Sequence, residues 1–221
     1  MDIYENRVVA FVDILGFKEA VINESKAEKI LGALTAIKDH VDSHTASDYY
    51  TRFKGVLDTE ITAFSDSVVI SGQESQAIVV YFDALRFSGM LINSGFLCRG
   101  AISFGKLYHR NGVLFGQAFI DAYHAETKRS IFPRIIVDPE VERVIIESEN
   151  EPDEFMHLLK RDFDGELYIN LVMLNHFFNQ PDHLVSALND IIDMNSECHD
   201  KAVKQKHEWL IRAYGLQAEK P

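Results

Sequence analysis

The apolar and polar positions of this chain switch several times between strand and helix periods. Val8-Val9-Ala10-Phe11-Val12 is an unbroken apolar run, and it predicts a buried central strand over residues 7–13. Gly16 permits a tight turn after it. Val21, Ile22, Ile30, Leu31, Leu34, Ile37 and Val41 then recur at helical spacing, with a break expected at residues 23–25. Residues 43–52 read as a polar and aromatic loop. Residues 56–64 and 67–71 read as strands flanking the polar pair Ser65-Asp66, a hairpin with Asp66 at its tip. A second helix is expected over 73–93, ended by Ser94-Gly95. A strand over 96–104 and a second hairpin over 105–115, turning at Asn111-Gly112, follow. The remaining pattern predicts a short helix over 117–127, a strand over 134–137, a charged peripheral stretch over 140–151 and a short strand over 167–171. Asp182 is placed to cap a last long helix running to about Tyr214, with a break near 195–198.

The order strand, helix, strand, strand, helix, strand is that of a ferredoxin-like βαββαβ core, so the expected class is α+β with peripheral strands and a long C-terminal helix. The 221 residues, 47% hydrophobic, suffice for one well-filled domain with an appendage. We expect residues 1–178 to form it and residues 179–221 to be a helical extension packed on the same domain or on a partner copy. A formal net charge of −12 argues against sequence-independent binding to nucleic acid or an anionic membrane surface. Two cysteines are too few for a disulfide framework or a zinc ribbon. With no signal-peptide layout and no apolar run near ~18 residues, a cytoplasmic protein is expected.

The candidate chemistry lies where strand ends carry acids. Asp13 closes the first apolar run and faces the start of a helix, where it either caps that helix or holds a cation beside a phosphate. The predicted topology makes the first strand and the Asp66 hairpin neighbours, so the two acids can meet at one sheet edge. Two converging carboxylates need a proton or divalent cations between them, and paired Mg²⁺ or Mn²⁺ ions are a recurring arrangement in phosphoryl transfer.

Four segments in this order resemble the catalytic domain of class III nucleotidyl cyclases over roughly residues 7–137. Phe11-Val12-Asp13-Ile14-Leu15-Gly16-Phe17 is similar to the family's first metal motif, and Phe64-Ser65-Asp66-Ser67-Val68-Val69 to its second, with Ser65 in place of the usual Gly. Arg99-Gly100-Ala101-Ile102-Ser103-Phe104-Gly105 resembles the Arg-x-Gly-Ile-x-x-Gly strand. Gly116 to His124 occupies the place of the segment carrying an Asn and an Arg. The resemblance implies that Asp13 and Asp66 are side-chain ligands of two divalent cations, Mn²⁺ or Mg²⁺, with the Ile14 carbonyl as a further ligand. It implies that the backbone N–H groups of Leu15, Gly16 and Phe17 hold the β- and γ-phosphates of a nucleoside triphosphate. The reaction implied is attack of the ribose 3′-oxygen on the α-phosphate with loss of pyrophosphate, in a homodimer with active sites at its interface.

The departures are specific. The Lys that helps purine cyclases select adenine is replaced by Thr62, and the transition-state Asn and Arg fall on Ile120 and His124. Arg99 is then the candidate for phosphate stabilisation, because a guanidinium can grip two phosphate oxygens, though it can equally pair with an acid for structural reasons. This pattern on a short domain resembles the pyrimidine cyclases of bacterial Pycsar antiphage defence, whose product is read by a separate effector protein. UTP, giving cyclic UMP, is the favoured substrate. Tyr50 and Phe64 would narrow the base pocket and Thr62 would read a base edge. The alternatives are a cytidylate or purine cyclase, or a cyclase-like module that binds nucleotide without turnover.

Overall fold

The computed structural model describes residues 3–43, 57–148, 157–177 and 183–216. Strand β1 (Glu5–Ile14) is buried from Arg7 through Val12 because both of its faces are covered. It pairs antiparallel with β3 (Ser67–Gln73) on one side and with β4 (Cys98–Arg110) on the other. Strand β2 (Glu60–Phe64) completes the hairpin with β3. The order β2-β3-β1-β4, with crossovers through α2 (Glu24–Asp42) and α3 (Ala77–Asn93), is the expected ferredoxin-like core. Three short strands extend it. These are β6 (Ile135–Val137), parallel to β4, then β8 (Leu167–Ile169) and β7 (Leu159–Arg161), while β5 (Val113–Phe115) pairs only with β4.

Register divides the sheet into two unlike faces. Val8, Ala10, Val12 and Ile14 align with Ile70 and Val68 of β3 and with Ile102 of β4, and all are buried under α2 and α3. The opposite face carries Val9, Phe11 and Asp13, aligned with Ser71, Val69 and Ser67. Helix α4 (Gln117–Arg129) covers part of that face through Ala118 and Ala122. Gly100, opposite Val12, has no room for a side chain: a Cβ there would lie 2.4 Å from the Phe11 carbonyl oxygen.

The expected break in the first helix separates α1 (Phe17–Val21) from α2, whose Asn23 side chain caps it by accepting the Lys26 N–H at 3.1 Å. The C-terminal break separates α7 (His183–Met194) from α8 (Lys201–Tyr214), which is capped by Asp200 rather than continued from α7. Asp182 lies outside the described residues. The 96–104 strand and the first arm of the second hairpin are one continuous β4, and Asn111-Gly112, both with left-handed φ, form its turn.

The stretch expected to be charged and peripheral is helix α5 (Pro139–Ser148). It buries Val141, Val144 and Ile145 and turns Glu140, Arg143 and Glu147 outward as ion pairs. Helical spacing of three apolar residues outweighs the charges around them. Helix α7 places Leu184, Leu188 and Ile191 in the main core, and α8 stacks Trp209 on Phe132 with the rings 5.7 Å apart. A short helix, α6 (Met173–Phe177), precedes them.

Candidate active site

The site forms where β1 ends between its two neighbours. Asp13 aligns with Ser67 of β3 and with Arg99 of β4. The Ile14 N–H donates to the Asp66 carbonyl at 2.8 Å, which draws the Ser65-Asp66 tip to the end of β1. Ser65 takes a left-handed φ of 53°, the conformation that glycine adopts without penalty. Gly16, at φ 77°, turns the chain into α1. The Leu15 N–H donates to the Leu97 carbonyl at 2.9 Å. That donor is committed within the fold, which corrects its expected role on a phosphate and narrows the backbone donors considered there to Gly16 and Phe17.

Two carboxylates converge on one guanidinium, and the Asp66 charge acts on both of them. Arg99 Nε lies 3.3 Å from Asp13 Oδ2 and 2.6 Å from Glu126 Oε1. Burial raises the pKa of Asp13 above the usual carboxylate range; Arg99 opposes this and the Asp66 charge adds to it. Glu126, only 3% exposed, is likewise raised by burial, against Arg99 and with help from Asp13 and Asp66. Its Oε2 accepts the Thr127 hydroxyl at 2.9 Å, while Oε1 meets Arg99 by charge without a well-aligned N–H.

Glu126 is the site residue that the sequence pattern did not single out. Its signal is an acid on the buried stripe Ala118, Ala122, Ala125 of α4, where an apolar or small residue is the rule.

The surplus of negative charge fits a divalent cation. Asp13 and Asp66, with the Ile14 carbonyl, offer the hard oxygen donors that Mg²⁺ and Mn²⁺ take. Among the described residues no group of three or more His, Cys, Asp or Glu is placed to hold a metal. A cation here would therefore complete its coordination with oxygens of a bound phosphate, as Mg²⁺ commonly does.

The other expected residues fall on the same sheet face or outside it. Phe64 aligns with Ser67 and is 44% exposed beside the acids. Thr62 aligns with Val69, and its Oγ1 lies 2.9 Å from His109 Nε2. Ile120 and His124 are exposed on α4, and His124 sits beside the Tyr123 ring. Arg99 is held by acids on two elements. Tyr50 lies outside the described residues.

Neither a scan against protein-family models nor a search of curated proteins finds a match. Solved structures do match. A bacterial light-regulated adenylyl cyclase aligns at a TM-score of 0.52 and 12% identity, over 85% of this chain and 98% of that one. An adenylate/guanylate cyclase/hydrolase from Silicibacter pomeroyi gives a TM-score of 0.48 at 15% identity, over 75% and 95%. The catalytic core of a rhodopsin-guanylyl cyclase with converted specificity, in complex with ATPalphaS, gives 0.46 at 14%, over 76% and 96%. At such identities the likeness is one of fold. Among the described residues no helix is long and apolar enough to cross a membrane. The chain has the α+β fold of class III cyclase catalytic domains.

Proposed function

We propose that this protein is a metal-dependent nucleotide cyclase that converts UTP to cyclic UMP and pyrophosphate. The observation that carries the reading is the meeting of Asp13 and Asp66 at the end of β1, in a cluster with more negative charge than Arg99 balances. Two divalent cations bound there would supply a lowered pKa for the ribose 3′-hydroxyl and charge neutralisation on the triphosphate. Asp13 and Asp66 hold them; the Gly16 and Phe17 N–H groups meet the terminal phosphates. Arg99 stabilises charge at the α-phosphate, the part left open by Ile120 and His124. No protein nucleophile is needed, because positioning and charge carry the step.

Loss of the purine-selecting Lys at Thr62, with Phe64 and Tyr50 narrowing the base pocket, favours a pyrimidine. The active form is a homodimer whose sites lie at the interface. The half-covered sheet face, with Phe64, Ile120 and Tyr123 each more than 40% exposed, is the surface offered for it. The product acts in the cytoplasm as an antiphage second messenger through a separate effector protein.

The test incubates the protein with equimolar UTP, CTP, ATP and GTP plus Mn²⁺ and identifies the products. Dominant cyclic UMP is expected. Dominant cyclic AMP or cyclic GMP would overturn the base assignment, and no cyclic product from a folded dimer would overturn the reaction.

A second reading is favoured by one contact. Arg99 is engaged by Glu126 at 2.6 Å, which would draw its charge away from an α-phosphate and leave a domain that binds nucleotide without turnover. Tight triphosphate binding with no product would support it.

A further inference from the structure

A buried chain of polar groups ends on Thr62 and gives it a direction. Arg7 is fully buried, and its Nε donates to Ser71 Oγ at 3.1 Å. Ser71 Oγ lies 2.9 Å from His109 Nδ1, and His109 Nε2 lies 2.9 Å from Thr62 Oγ1. Arg7 is itself anchored by Glu5, at 2.9 Å, and by Asp58 through both its carboxylate and its carbonyl. His109 is 1% exposed, and burial, reinforced by the Arg7 and Arg110 charges, pushes its pKa down to about 4. Its ring is therefore neutral near pH 7, with a hydrogen on one nitrogen only.

Hydrogen-bond polarity then propagates from the arginine. A guanidinium can only donate, so Ser71 Oγ accepts from it. Among the described residues, the acceptor found for the Ser71 hydroxyl proton is His109 Nδ1. That fixes the tautomer with hydrogen on Nε2, which donates to Thr62 Oγ1. Thr62, left half-buried, has its own hydroxyl proton free to point away from the chain.

Thr62 also stands at a telling distance from the acids. It lies two strands and two residues from Asp13 on the same sheet face, roughly 12 Å by strand geometry. A nucleotide with phosphates at Asp13 brings its base about that far. We propose that Arg7, Ser71 and His109 hold Thr62 as a fixed hydrogen-bond donor at the base end of the site. It thereby selects bases with a carbonyl at the edge it meets, uracil and guanine, over their amino counterparts, cytosine and adenine. This rests on the cyclase reading and adds to it a reason for UTP over CTP. Cytosine would set its amine against the Thr62 proton, donor against donor. His109 acts here as a positioning residue.

Two measurements test it. Calorimetry with each of UTP, CTP, GTP and ATP, with Ca²⁺ in place of Mn²⁺, gives the keto-to-amino ratios. About tenfold is expected for UTP over CTP and for GTP over ATP, the scale of one neutral hydrogen bond. In Thr62→Val both ratios fall to about one, whereas Thr62→Ser keeps them. Ratios unchanged in Thr62→Val overturn the inference, and so does triphosphate binding without a keto preference, while leaving the cyclase reading intact. Binding of none of the four overturns the cyclase reading, and the inference falls with it. Nitrogen-15 NMR of the histidine rings, assigned with His109→Gln, should show His109 protonated on Nε2; protonation on Nδ1 overturns the inference directly.

Discussion

The two faces of the central sheet are built from the same three strands and do opposite work. The face under α2 and α3 is apolar throughout: Val8, Ala10, Val12 and Ile14 meet Val68, Ile70 and Ile102, all at 2% exposure or less. The face under α4 alternates apolar residues with groups that are costly to bury. Those groups are Asp13, Arg99, Ser71 and His109, with Glu126 of α4 set against Arg99, and α4 leaves the edge open at Phe64, Ile120 and Tyr123. Burying a charge costs free energy unless it is paired, so the second face is less stable than the first could be. The difference teaches where stability and polar groups were separated: one face holds the fold, and the other keeps Asp13 and Glu126 above their ordinary carboxylate pKa.

The contrast breaks if substitutions on the two faces behave alike. The largest effect expected is on turnover. Asp66→Asn should lower cyclic-nucleotide formation by roughly a thousandfold, near the upper end for removing one electrostatic contact. Its melting temperature should stay close to that of the parent, read by calorimetry. Ile70→Ala, on the face under α2 and α3, should do the reverse, costing about 3 kcal/mol of stability in denaturant titration.

His109 sharpens the comparison through pH. Its pKa is about 4 in the fold, below the ordinary histidine value of 6.5. Between those values the unfolded chain binds a proton that the native one does not, so stability falls as pH drops through 6.5 toward 4. The loss is about 3 kcal/mol in all. His109→Gln should flatten that slope, whatever it does to stability at pH 7. A slope unchanged in the variant would mean that other groups set it.

The smallest effects are local. Ile120→Ser should change the stability of the chain by less than about 0.5 kcal/mol, being 44% exposed, yet weaken self-association measured by sedimentation. Equal dimerisation by parent and variant would place the interface elsewhere.

Much of the fold was legible because the strands and helices of the core keep a clean period. The run 8–12 and the Asn111-Gly112 turn each admit one reading. Both helix breaks also followed from composition, at Asn23 and near residues 195–198. Helix α5 was hidden because its charges outnumber the three apolar residues that anchor it. Strand β7 (Leu159–Arg161) was hidden because two of its three residues are cationic.

At the site, Asp13 and Asp66 were visible as acids closing apolar strands, and topology alone made them neighbours. Glu126 was not, since an isolated acid within a helix ordinarily faces solvent and only the packing of α4 turns it inward. The commitment of the Leu15 N–H to Leu97 was equally beyond a sequence, because it joins residues 82 positions apart.

The central claim is that Asp13 and Asp66 jointly hold cations against a triphosphate. Electron paramagnetic resonance of Mn²⁺ titrated into the protein with a non-cyclisable UTP analogue tests it most directly. The account predicts spin-coupled Mn²⁺ that appears only with the analogue and disappears in both Asp13→Asn and Asp66→Asn. Coupled Mn²⁺ that survives either substitution, or Mn²⁺ binding indifferent to the analogue, would contradict it.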